Sequence, residues 1–219
     1  MNTMNNKILI ITGGKIEDEF LSDLVSNENY TMIIAADHGL YAADRLNIKL
    51  DYILGDFDSV SPVLLDKFRK LKVPIQTFPI EKDKTDTQIA IELALLNHAT
   101  SIDIIGATGS RMDHVLANIH LLMLPMQLNI QAALIDRNNK IYLKDKSFAI
   151  MKEEQFGDYV SLLPFGDTVT GLTLTGFKYP LNHITYMAGN SLGISNIIKE
   201  EKAVIELTGG TLVVIEAKD

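Results

Sequence analysis

The sequence predicts an α/β N-terminal domain with a mainly parallel sheet, followed by an all-β C-terminal sandwich domain. Up to about residue 136, short apolar runs alternate with segments of helical period, the pattern of βα units built around a parallel sheet. After Asn138-Asn139 the texture changes to short β-rich runs separated by turn residues, which suits antiparallel pairing. The chain has 219 residues, 47% of them hydrophobic, enough to bury one large core or two small ones. The boundary is expected near residues 138–146, giving domains over 1–138 and 139–219.

In the first domain the apolar runs cover residues 7–12, 31–36, 52–54, 73–78, 102–105 and 132–135, with helices expected over 40–46, 62–70, 86–97 and 114–124. Ser61 before Pro62 predicts an N-cap with proline in the first helical position, and Thr85 with Gln88 three residues on matches a capping box. In the second domain the strand candidates are KIYL, SFAIM, YVSLL, TVTGLTL, HITYM, KAVIEL and TLVVI. Gly209-Gly210 between the last two predicts a tight hairpin.

Composition narrows the function. With no cysteine, disulfide frameworks, thiolate metal sites and cysteine nucleophiles are excluded, and the cytoplasm is the expected compartment. The first apolar run is too short for a signal-peptide core, and no stretch approaches the roughly 18 apolar residues of a membrane span. Twenty basic residues against 28 acidic give a net charge of −8, which argues against nucleic acid as a partner. The same field repels polyphosphate, so a phosphate ligand would need a divalent metal as a bridge.

In a parallel sheet the strands point one way, so the segments that follow them gather along one edge, where open α/β sheets bind ligands. Those tails read TGGK, ADHG, GDFDS, EKDKTD, GATGSRMD and DRNN. Asp37, Asp56, Asp58, Asp86 and Asp113 thus fall on four of them. Such hard oxygen ligands suit Mg²⁺, which takes a few carboxylates, keeps waters and reaches nucleotide phosphates. Each acid also has a local reading: Asp113 as a cap for a helix from His114, Asp86 at the positive end of its helix, Asp58 in an Asx turn before Ser59. Local turns, however, do not require acids on so many strand ends.

GATGSRMD places glycines, hydroxyls and Arg111 before a helix, where backbone N–H groups hold phosphate and an arginine clamps charge, unless Arg111 simply pairs with Asp113. Neither G-x-x-x-x-G-K-[ST] nor G-x-G-x-x-G is present. The five histidines make no H-E-x-x-H pair, and only His38 lies in an acidic tail, where it supports the turn. Ser161, Ser191 and Ser195 lack a G-x-S-x-G elbow.

The stretches ADHG (36–39), DYILGDFDSV (51–60), DKTDTQIAIELAL (83–95), GATGSRMDHVLANIHLL (106–122) and LGISN (192–196) together resemble the thiamine pyrophosphokinases. That resemblance implies a homodimer with sites between subunits and an enzyme that moves the terminal diphosphate of ATP to the thiamine hydroxyl, giving AMP and thiamine diphosphate. It implies Asp37, Asp56, Asp58 and Asp86 as the Mg²⁺ and diphosphate site, Thr85, Lys82 and Arg111 toward the ATP phosphates, and Asp113 toward metal or substrate. Ser195 and Asn196 match the thiamine-binding segment. His38 stands where the family often has glycine, and Lys82 where it often has glutamine. Asp56 and Asp113 are both candidates to accept the alcohol proton.

Two rival readings use the same residues. DFDSV fits the D-x-D-x-[TV] pattern of haloacid-dehalogenase-like phosphatases, in which the first aspartate forms an aspartyl phosphate. A nucleotide or thiamine sensor would keep the pocket without turnover.

Overall fold

The computed structural model describes residues 5–58, 60–79 and 83–219. It divides into two compact units, the first ending at Arg137 and the second beginning at Asn138.

The first unit runs β1 (Lys7–Ile11), α1 (Asp18–Asn27), β2 (Met32–Ala36), α2 (Gly39–Arg45), β3 (Tyr52–Gly55), α3 (Pro62–Lys70), β4 (Ile75–Thr77), α4 (Asp86–Leu96), β5 (Ser101–Ile105), α5 (Met112–Leu121), α6 (Met123–Gln127) and β6 (Gln131–Ile135). Its strands lie in the order β4-β3-β2-β1-β5-β6, all parallel. Ile8 to Ile11 and Ile102, Ile104 and Ile105 are sealed from solvent, as expected of central strands covered on both faces. One face packs Leu9, Ile11 and Ile53 against Leu21, Leu40, Leu64 and Phe68 of α1 to α3. Helix α4, apolar around most of its circumference, packs against β1, β2 and β3 and also meets α5 and α6.

Strand order runs outward from β1 through β2 and β3 to β4 on one side and restarts with β5 on the other. The strand order thus reverses between β1 and β5, the topological position at which open sheets of this kind bind ligands.

Several expectations are corrected. The segment DEFLSDLVSN forms α1, which periodicity did not announce; its N-cap is Glu17, whose side chain makes no capping bond. The helix expected over 114–124 starts two residues earlier and splits into α5 and α6, because Pro125 is tolerated only in the first turn of a new helix. Asp113 consequently lies in the first turn of α5 and is not its cap. Ser61 sits at the N-cap of α3 without a side-chain bond, its backbone N–H donating to Tyr41 Oη at 2.9 Å.

The second unit holds β7 (Asn139–Lys144), β8 (Phe148–Met151), β9 (Tyr159–Pro164), β10 (Thr168–Thr175), β11 (Leu181–Met187), β12 (Lys202–Glu206) and β13 (Leu212–Ala217). Antiparallel β7-β13-β9 faces β11-β10-β12-β8, and Val160, Leu162, Leu212 and Val214 of the former pack with Val169, Leu172, Leu174 and Ile205 of the latter. Gly209-Gly210 is not a hairpin. Strand β12 pairs with β10 and β8 while β13 pairs with β7 and β9, so the glycines carry the chain from one sheet to the other. Turn chemistry is local, but partner choice follows the apolar faces, and both strands bury theirs in the shared core.

Candidate active site

The loops after β1, β2 and β5 and the start of α4 enclose a cavity of about 590 Å³ in the first unit. Its walls include Thr12 to Lys15, Ala36 to His38, Thr85 to Thr87, Gly106 to Arg111, His114 and Asn118.

Backbone ties extend past the strand ends and hold these loops in place. Thr12 N–H donates to Ile105 O and Gly14 N–H to Gly106 O, each at 2.8 Å. A Cβ at Gly14 would lie 2.1 Å from Gly106 O, so only glycine permits the two loops to meet. At Gly39, where α2 begins, a Cβ would lie 2.0 Å from Ile11 O, and its absence lets the Asp37 turn sit over the end of β1. From below, buried Asn118 donates through Nδ2 to Ala107 O at 2.8 Å, and Thr108 Oγ1 donates to Asp136 at 2.7 Å.

Four of the residues singled out by sequence line this cavity: Asp37, Thr85, Asp86 and Arg111. Asp37 N–H is hydrogen-bonded to Leu54 O at 2.9 Å, which joins its turn to β3. Its Oδ2 lies 2.7 Å from His38 Nδ1, and its Oδ1 is buried with no hydrogen-bond partner among the described residues. Thr85 caps α4, its Oγ1 accepting from Gln88 N–H at 3.2 Å; the Gln88 side chain turns to Glu92, so only half of the expected capping box forms. Asp86 occupies the first turn, where the helix dipole favours a carboxylate.

Arg111 and Asp113 form an exposed two-point ion pair, with N···O distances of 3.2 and 2.6 Å. The guanidinium hydrogen bonds hold the Asp113 carboxyl down at about 2. Paired in this way, Asp113 is a poor acceptor for an alcohol proton.

Asp56, Asp58 and Asp113 do not line the cavity. Asp56 begins the loop after Gly55, whose added Cβ would stand 3.3 Å from Asp37 Cα, and its Oδ1 accepts from Asp58 N–H at 3.2 Å. Asp56 thus makes an Asx turn within GDFDS, and Ser59, beside which an Asp58 turn was expected, lies outside the described residues. Among the described residues, no three His, Asp or Glu side chains stand together as a metal cage. What the site offers a cation is the unpartnered Asp37 oxygen, with Asp86 on the same cavity.

Lys82 lies outside the described residues. Ser195 and Asn196 lie in the second unit. Asn196 is buried: Oδ1 accepts from Tyr179 N–H and Ile197 N–H, both at 3.0 Å, and Nδ2 donates to Tyr179 O at 2.8 Å. This latch occupies the side chain that the sequence suggested for substrate. Ser195 is exposed, with φ 54°, its N–H held by Ser161 Oγ at 2.9 Å. Sequence reasoning gave no role to Lys15, His114 or Asn118. The clue for Asn118 was a lone amide in the mostly apolar run LANIHLL.

Residues 24–134 match the family model described as "Thiamin pyrophosphokinase, catalytic domain", and residues 147–212 match "Thiamin pyrophosphokinase, vitamin B1 binding domain". The chain belongs to the thiamine pyrophosphokinase family. The thiamine pyrophosphokinase of Bacillus subtilis (strain 168) is 32% identical over 220 residues, covering all of both chains. Thiamine pyrophosphokinase 1 of Oryza sativa subsp. japonica is 30% identical over 72% of this chain and 62% of its own. The crystal structure of the B. subtilis thiamine pyrophosphokinase superposes with a TM-score of 0.87, covering 98% of this chain and 100% of that one. That of an Enterococcus faecalis family protein, 30% identical, gives 0.80 over 98% and 99%. Membership of this family removes the ground for the phosphatase reading of DFDSV, whose first aspartate is here engaged by the N–H of the second.

Proposed function

We propose that the protein transfers the terminal diphosphate of ATP to the hydroxyl of thiamine. The thiamine oxygen attacks the β-phosphorus in line, the bond from that phosphorus to the α–β bridging oxygen breaks, and AMP leaves with that oxygen. The hydroxyl proton passes to a base, for which Asp56 and Asp113 are the candidates, Asp113 being held strongly acidic by Arg111.

The observation that carries this reading is the convergence of Asp37, Thr85, Asp86 and Arg111 on one cavity at the strand-order reversal, in a chain that matches both family domains. Arg111 and the N–H groups of Gly106 to Ser110 would receive phosphate charge, with Thr85 at the N-terminus of α4 beside them. Lys82 joins the same nucleotide-binding set.

Mg²⁺ fits what the residues present. Asp37 has a buried oxygen without a donor, Asp86 shares its cavity, and Asp56 and Asp58 follow the strand bonded to the Asp37 turn. A few carboxylates plus substrate phosphates, without a closed protein cage, is the usual manner of holding this ion. When bound, it neutralises polyphosphate charge in an acidic chain. Ser195, on the exposed segment latched by Asn196, would meet thiamine, with Asp113 orienting substrate. The working form is a cytoplasmic homodimer with sites shared between subunits.

Incubation with ATP, Mg²⁺ and thiamine, followed by identification of both products, tests the proposal. AMP and thiamine diphosphate in equal amounts are expected. Inorganic phosphate as the product, or binding without turnover, would reject it.

A further inference from the structure

The cavity contains a cation that none of the family-like stretches includes. Lys15 follows the Gly13-Gly14 turn after β1 and lines the same walls as Asp37, Asp86 and Arg111. Its backbone is fixed because the preceding Gly14 N–H is bonded to Gly106 O, with no room for a side chain between them. The lysine is therefore carried by a turn welded to the loop 106–111, which lines the cavity together with Arg111.

Charge distinguishes Lys15 from its neighbours. Arg111 is neutralised by Asp113 through two hydrogen bonds, and the lining carboxylates Asp37 and Asp86 repel polyphosphate. Among the described residues, Lys15 makes no hydrogen bond or ion pair. It is thus the lining cation whose charge is uncommitted. A compact ammonium on a flexible stem suits phosphate as a point charge, needing no fixed fork geometry.

We propose that Lys15 anchors the outer phosphates of ATP, a role that rests on the diphosphotransferase reading above. It is a positioning contact for the transferred diphosphate. Thiamine carries a permanent thiazolium charge, so an ammonium cannot favour its binding, and any gain in affinity from Lys15 falls on ATP.

The test compares wild type with Lys15→Met, which keeps most of the stem, and Lys15→Arg, which keeps the charge. Steady-state titrations give KM for ATP and for thiamine, and calorimetry gives Kd for Mg·ATP and for AMP. Losing one charge-assisted contact should raise the ATP KM and the Mg·ATP Kd about tenfold in Lys15→Met. The thiamine KM, the AMP Kd and the melting temperature should stay at wild-type values, and Lys15→Arg should restore most of the ATP affinity. A Mg·ATP Kd within about twofold of wild type, or an equal weakening of AMP, overturns the assignment. If the wild type binds Mg·ATP in a Lys15-dependent way yet forms no thiamine diphosphate, the transfer reading falls and the lysine contact stands. If it binds no Mg·ATP, both fall.

Discussion

Asp37 and His38 are joined through one carboxylate oxygen: Oδ2 lies 2.7 Å from His38 Nδ1, leaving Oδ1 buried without a partner. An unsatisfied buried carboxylate oxygen costs stability, and a bound cation is one way to offset that cost. Asp37→Asn should therefore leave the melting temperature unchanged or raised while lowering Mg²⁺-dependent turnover by about a hundredfold. A Mg²⁺ titration of the folded variant that overlays the wild-type curve would remove Asp37 from the site.

The Arg111–Asp113 pair has a defined pH signature. The folded carboxyl of Asp113 is depressed from 3.8 to about 2, so the unfolded chain takes up its proton first as pH falls. Whatever stability the pair contributes is fully present above the unfolded value and is lost as pH drops through the folded one. Both side chains are largely exposed, 70% and 64%, so that contribution is small. Arg111→Gln should move the Asp113 carboxyl midpoint, followed by NMR, back up toward 3.8. It should barely change the melting temperature, yet reduce turnover by about a hundredfold. Full turnover in this variant would end the phosphate role of Arg111.

Thr85 has a structural duty separable from any ligand contact. Thr85→Ala removes the side-chain cap of α4 and should cost about 1 kcal/mol, read as a melting temperature lower by a few degrees. Thr85→Ser should recover the loss. An Ala variant as stable as wild type would show that the 3.2 Å bond from Gln88 N–H contributes nothing.

Asn196 and Ser195 should separate cleanly. Asn196→Ala leaves the N–H groups of Tyr179 and Ile197 without their acceptor and should cost about 2–3 kcal/mol in denaturant unfolding. Ser195→Ala removes an exposed hydroxyl and should preserve stability while raising the thiamine KM. An unaltered thiamine KM would exclude the hydroxyl from substrate binding.

The alternation of apolar runs and helical segments determined the two architectures, because a strand covered on both faces and a strand of a sandwich demand different residue patterns. The apolar run 7–12 was legible as a strand, and its central place in the sheet came from the packing. Thr85 announced its cap through chemistry confined to one helical turn. The gathering of the strand tails was legible for a similar reason: parallel strands send them to one edge wherever the strands lie in the sheet. Long-range geometry was decided by the tertiary structure alone. It assigned β12 and β13 to different sheets despite the Gly209-Gly210 turn, and enclosed Asp37 with Asp86 while Asp56 engaged Asp58. It also committed Asn196 to the Tyr179 backbone and left Lys15 without a counter-ion among the described residues. Sequence patterns register which residues are buried and how the chain turns locally; hydrogen-bond partners and ion pairs between distant segments form only when the elements pack, so the division of labour within the site emerged there.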